Sequence, residues 1–105
     1  MLAERPGENT TLGLIATNAR LTKAQARKIA EMAHDGFARA IVPAHTMNDG
    51  DTIFAIGTGS FTGAGANVTT IGSLGAEVMA DALLRAVREA TGLPNYPSLR
   101  DLTRQ

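Results

Sequence analysis

The stretch "TTLGLIATN", residues 10–18, decides how the rest of the chain is read. Leu12, Leu14, Ile15 and Ala16 form an almost continuous apolar run. A run without polar alternation is the mark of a strand buried on both faces. Asn18 closes it, and the polar lead "GEN", residues 7–9, precedes it. The strand therefore opens on two threonines directly behind an asparagine. β-Propensity alone accounts for threonines in a strand. A chemical reading stands beside it. The Asn9–Thr10 peptide sets a hydroxyl next to the preceding carbonyl. Under strain that hydroxyl can attack the carbonyl and move the acyl group from nitrogen to oxygen. Hydrolysis of the ester then leaves Thr10 as a new N-terminus. Its amine, with a reference pKa of about 7.7–8.0, can serve as base for its own hydroxyl. The local pattern leaves both readings open.

Downstream, "LTKAQARKIAEMAHDGFARAI", residues 21–41, reads as a helix. Thr22 is the expected N-cap, with Gln25 completing a capping box. Ala26, Ile29, Ala30, Ala33, Phe37 and Ala40 recur at three- and four-residue spacing and form one apolar stripe. Gly36 within it costs roughly 1 kcal/mol relative to alanine, which points to a neighbouring backbone at close approach. "TIFAIGT", residues 52–58, reads as a second strand, and "GSFTGAG", residues 59–65, as a flexible glycine loop. A second long helix is expected from about Asn67 to Ala90. Its apolar residues are Val68, Ile71, Leu74, Val78, Met79, Ala82, Leu83, Ala86 and Val87. Gly92 is expected as its C′ residue, and Pro94 bars continuation. The tail, residues 93–105, carries little periodicity and is expected to be extended, ordered only against a partner surface.

The order is strand, helix, strand, helix. Two strands leave two open edges, and strands buried on both faces need cover above and below. The expectation is that the remaining sheet lies in another chain, and that this chain is one part of a larger α/β protein.

With 105 residues the chain has room for one domain. Its 44% apolar and 19% charged content is that of a globular protein. Zero net charge gives no electrostatic drive toward nucleic acid or anionic membrane. Aromatics at 4% argue against base-stacking platforms. The absence of cysteine excludes disulfides, thiolate zinc sites and a cysteine nucleophile. "MLAERPGEN", residues 1–9, holds no apolar signal core, and no run approaches the ~20 residues that span a bilayer. A cytoplasmic location is expected.

Three further motifs invite chemistry. In "NDGD", residues 48–51, Asp49 and Asp51 are two apart and would share one side of an extended segment. Neighbouring carboxylates can separate in pKa and divide acid and base roles. An Asp-Gly turn is the alternative. The register of a calcium loop is absent. "GTGSFTGAG", residues 57–65, lies between a strand and a helix, where phosphates bind, but matches neither phosphate-loop pattern. His34 falls on the first helix and is expected at its surface. His45 precedes Asp49 and could support either the turn or a site. No zinc spacing and no nucleophile-elbow motif occurs. The sequons at Asn9 and Asn67 lack a secretory context.

Together these segments resemble a known family. "ENTTLGLIATNARLTKAQARKIAEMAHDGFARAIVPAHTMNDGDTIFAIGT", residues 8–58, is similar to the start of the small chain in the L-aminopeptidase/D-esterase family. That family includes β-peptidyl aminopeptidases and nylon-oligomer hydrolases. "NVTTIGSLGAEVMADALLRAV", residues 67–87, resembles the C-terminal helix of the same chain. The combination of N-T-T opening a strand, P-x-H-T, D-G-D and the late helix carries the resemblance. It implies an N-terminal-nucleophile-like αββα sandwich, shared with ornithine acetyltransferases. Family precursors cleave themselves once into a large and a small chain that stay together. Carried over, Asn9–Thr10 is the scissile bond and Thr10 the nucleophile. Asp51 falls where an acidic residue contacts the nucleophile, and Asp49 where the family has a polar or acidic residue. The D-G-D form is nearest the nylon-oligomer branch.

The resemblance divides the chain into residues 1–9, the remnant of a large chain, residues 10–92, the small-chain α/β segment, and the tail, residues 93–105. The large chain, which brings the oxyanion-hole asparagine and further strands in the family, is an expected partner, as is a homo-oligomer. Expected substrates are short peptides with an open N-terminus, amino-acid amides or esters, or linear amide oligomers. No metal or organic cofactor is expected. The alternatives are an inactive stand-alone fragment or oligomerising α/β module, and ornithine acetyltransferase-like acyl transfer.

Overall fold

The computed structural model describes residues 10–41, 50–65 and 67–103. Strand β1, Leu12–Thr17, is followed by helix α1, Lys23–Ala40, strand β2, Thr52–Gly57, and helix α2, Val68–Glu89. A short helix α3, Leu99–Thr103, ends the described chain. The architecture is α/β, in the strand-helix-strand-helix order expected. β1 and β2 pair in parallel, from Leu12 beside Thr52 to Thr17 beside Gly57.

α1 begins where the sequence places it. The Thr22 hydroxyl accepts from the Gln25 N–H at 3.1 Å, and the Gln25 side chain accepts from the Thr22 N–H at 2.9 Å. Such a cap contributes about 1 kcal/mol. The expected stripe turns inward: Ile29, Ala33, Gly36 and Phe37 are buried. Ile29, Ala33 and Phe37 join Ile15, Ile53 and Met79 in the core.

Gly36 meets the close approach its cost implies. A Cβ there would overlap the Ala76 carbonyl oxygen and lie 2.8 Å from the Met79 Cβ. This contact seats α1 on α2, and it also explains which side of α2 is buried. Gly72, Gly75, Ala76 and Met79 face inward, while Leu74, Val78 and Val87 of the expected stripe remain exposed. Apolar spacing marked too wide an arc, because close helix packing selects small residues that a hydrophobic pattern underweights. Asn67 caps α2, its side-chain oxygen accepting from the Thr70 N–H at 3.0 Å.

The C-terminal expectations need correction. α2 ends at Glu89, with Ala90 as an extended cap, and Gly92 is not in the left-handed region. Gly92 is required for space instead. A Cβ there would collide with the Asp101 carboxylate and sit 3.1 Å from the Ser98 nitrogen. The tail is not extended. Leu93 and Tyr96 exchange backbone hydrogen bonds of 2.9 Å around Asn95, whose φ is +67°. The Ser98 N–H donates to Asp101 Oδ2 at 2.9 Å, and the Asp101 N–H donates to Ser98 Oγ at 3.3 Å. Arg100 ties this unit to α2, donating to the Arg88 carbonyl at 2.9 Å and the Glu89 carboxylate at 2.8 Å.

The strands depart from expectation in one respect. Side chains alternate across a sheet. Ile15 and Ile53 point toward the helices and are 8% exposed. Leu12, Leu14, Phe54 and Ile56 occupy the opposite face and are 50–71% exposed. Among the described residues only one face of the sheet is covered.

Candidate active site

The parallel register brings the two candidate segments together. Thr10 and Thr11 lead into β1, and Gly50 and Asp51 lead into β2. Because Leu12 pairs with Thr52, continuing backward sets Thr11 beside Asp51 and Thr10 beside Gly50. Residues forty positions apart in sequence thus meet at the N-terminal end of the sheet.

The first rung there is irregular. The Thr52 N–H donates to the Thr11 carbonyl at 3.0 Å, as a parallel ladder requires. The Thr11 N–H would then donate to the Gly50 carbonyl. It donates to Asp51 Oδ1 instead, at 3.2 Å. The Gly50 carbonyl accepts from the Thr52 hydroxyl, also at 3.2 Å. Two side chains thus replace one backbone bond.

Thr10 is exposed, and the partly buried Asp51 carboxylate binds the amide of the residue that follows it. Asn9, Asp49 and His45 lie outside the described residues. His34 is half-buried on α1, its ring edge-to-face with Phe37 at 5.6 Å between centroids. Sequence reasoning passed over Thr52. The available signal was a hydroxyl residue two positions after a glycine, a spacing that permits a side-chain bond to the glycine carbonyl.

The glycine loop lies at the opposite end of the strands. Gly59 is left-handed, with φ +74°. The N–H groups of Thr58, Gly59 and Phe61 donate to the carbonyls of Thr17, Ala19 and Asn18. These three amides are bound within the protein rather than open to a phosphate. Among the described residues no cluster of three or more histidine or acidic side chains is placed to hold a metal ion. No described helix is long and apolar enough to cross a membrane.

Comparison with known proteins agrees with the family resemblance read from the sequence. The chain is 42% identical over 106 residues to an uncharacterized aminopeptidase of Mycobacterium tuberculosis, covering 90% of this chain and 31% of the relative. It is 38% identical over 90 residues to a 6-aminohexanoate-oligomer endohydrolase of Kocuria sp., covering 76% of this chain and 25% of the relative. The corresponding enzyme of Paenarthrobacter ureafaciens is 39% identical over 88 residues, covering 74% and 25%. The chain therefore spans about a third or less of the length of these relatives. The family model for peptidase family S58 matches residues 1–97. On that match the chain belongs to peptidase family S58, the L-aminopeptidase/D-esterase family of hydrolases.

Proposed function

We propose that this chain is the small-chain segment of a self-processing amide hydrolase with Thr10 as its N-terminal nucleophile. The carrying observation is the bond from the Thr11 N–H to Asp51 Oδ1, which sets a carboxylate one residue from Thr10. In the processing step the Thr10 hydroxyl oxygen bonds to the Asn9 carbonyl carbon. The Asn9–Thr10 C–N bond breaks, and the hydroxyl proton passes to the departing amine. Water then cleaves the ester, leaving an Asn9 carboxylate and a liberated Thr10.

In turnover the Thr10 hydroxyl attacks a substrate amide or ester carbonyl. The α-amine of Thr10, oriented with Asp51, takes the proton and returns it to the leaving group, and water then cleaves the Thr10 ester, releasing the acyl group as a carboxylic acid and restoring the hydroxyl. Asp49 is assigned to the same site by its spacing from Asp51. Oxyanion donors come from a large chain, each worth roughly 3–4 kcal/mol in such sites. That large chain also supplies the layer over Leu12, Leu14, Phe54 and Ile56, completing an αββα sandwich. Substrates are short peptides, amino-acid amides or esters, or linear amide oligomers. The names of the aminopeptidase and oligomer-hydrolase relatives support that class.

Mass spectrometry of the chain co-expressed with the large chain tests the reading. The expected product begins at Thr10, and Thr10→Ala abolishes both cleavage and hydrolysis. An uncut Asn9–Thr10 bond, with hydrolysis that survives Thr10→Ala, overturns it.

A further inference from the structure

We infer that Thr52 is a positioning residue for this site, acting through Asp51. The inference rests on the functional reading above and names a residue that reading does not use. A regular parallel ladder would pair the Thr11 N–H with the Gly50 carbonyl, since Thr11 already accepts from the Thr52 N–H at 3.0 Å. The Thr52 hydroxyl occupies that carbonyl at 3.2 Å. The Thr11 N–H donates to the Asp51 carboxylate instead, at 3.2 Å. A carbonyl oxygen can accept twice, so the hydroxyl acts through orientation: its bond holds the Gly50 carbonyl in the rotation at which the Thr11 N–H meets Asp51 instead.

The exchange has one consequence for chemistry. It points the Asp51 carboxylate at β1, where Thr10 begins. Gly50 gives the backbone latitude to adopt either pairing, having no Cβ to restrict it. The Thr52 hydroxyl selects between them. β-Propensity explains a threonine at the start of a strand equally well, but it predicts that valine would serve the same purpose.

The variants Thr52→Val and Thr52→Ser separate these accounts in the assembled protein. Valine keeps the branched shape and removes the hydroxyl; serine keeps the hydroxyl and removes the branch. Self-cleavage is followed by mass spectrometry, and turnover with an amino-acid p-nitroanilide. Thr52→Val is expected to slow cleavage and lower kcat by roughly tenfold, the scale of one net hydrogen bond, with KM and melting temperature little changed. Thr52→Ser is expected to stay within about twofold of the parent on the same scale. Parent rates in Thr52→Val, or equal losses in both variants, would overturn the role of the hydroxyl. Thr10→Ala in the same assays is the separate control. If it retains cleavage or turnover, the functional reading itself falls; if it is inactive while Thr52→Val matches the parent, only the Thr52 assignment falls.

Discussion

The two faces of the β1–β2 sheet differ in a direction opposite to that of most small proteins. The face under the helices carries Gly13, Ile15, Ile53 and Ala55, two of them small. The face away from the helices carries Leu12, Leu14, Phe54 and Ile56, all large and all at least half exposed. The covered side uses small residues because helix side chains fill the space. A Cβ on Gly13 would lie 2.8 Å from the Met79 Cε and 3.1 Å from the Phe37 Cζ. Apart from Thr52 at its end, the open side is apolar, unlike a solvated sheet face. A contiguous apolar surface of this kind marks an interaction site, and here it fits the missing layer of the proposed assembly.

The largest effect should come from the covered side. Phe37 is fully buried against Ile15, Ile53 and Met79. Phe37→Ala should cost about 3–5 kcal/mol, lost transfer energy plus the cavity left behind. That is comparable to the whole stability of a marginal domain. Thermal unfolding of the assembled protein should show a much lower midpoint. A shift of only a degree or two would mean that the core lies elsewhere.

The open face should respond differently. Burying a side chain of this size contributes about 1.5–3 kcal/mol when a partner covers it. The double change Leu14→Ser with Phe54→Ser should therefore weaken association with the large chain. Folding of the chain itself should change by no more than about 0.5 kcal/mol per site, as at ordinary surface positions. Co-purification by gel filtration reads the first effect and circular dichroism the second. If the doubly substituted chain assembles normally, the open face is not the interface, and the contrast between the two faces loses its functional meaning.

The sequence showed the sheet's need for cover but not which side lacked it. An unbroken apolar run such as Leu12–Ala16 carries no phase, so it cannot say which residues meet a helix. Caps were legible because they depend on contacts three residues apart: Thr22 with Gln25 is a local fact. Asp51 could be assigned to the Thr10 segment only through family resemblance, because a contact between residues forty apart leaves no local trace. The ladder exchange at Thr52 was hidden for the same reason. It depends on strand register, which no short spacing encodes. The tail was misjudged because its order comes from Arg100 reaching back to α2 and from Ser98 pairing with Asp101. Neither contact produces periodicity.

Gly36 offers a smaller test of the covered side, with two effects opposed. Replacing glycine by alanine in a helix interior gains roughly 1 kcal/mol of propensity. The new Cβ, however, would press on the Ala76 carbonyl, a backbone atom that cannot rotate aside. Overpacking of this kind typically costs 1–3 kcal/mol. The clash should win, giving a net loss of about 1 kcal/mol by chemical denaturation. A stabilised Gly36→Ala protein would show that α1 and α2 can separate without penalty.

The smallest effect concerns the tail. Arg100 and Glu89 are both substantially exposed, and such ion pairs contribute only about 0–1 kcal/mol. Arg100 also satisfies the Arg88 carbonyl near the end of α2, a group that has no intrahelical partner there. Arg100→Ala should therefore leave global stability nearly unchanged while loosening the tail locally. Hydrogen exchange should speed up at Tyr96 and Leu102, whose amides bond within the tail, and not in the core of α1. Arg100→Lys separates the two contributions, since lysine keeps the charge but lacks the fork that reaches a carbonyl and a carboxylate together. Faster exchange in both variants would assign the tail's order to that fork. Unchanged exchange in both would assign it to the Ser98–Asp101 pair and the tight contact at Gly92.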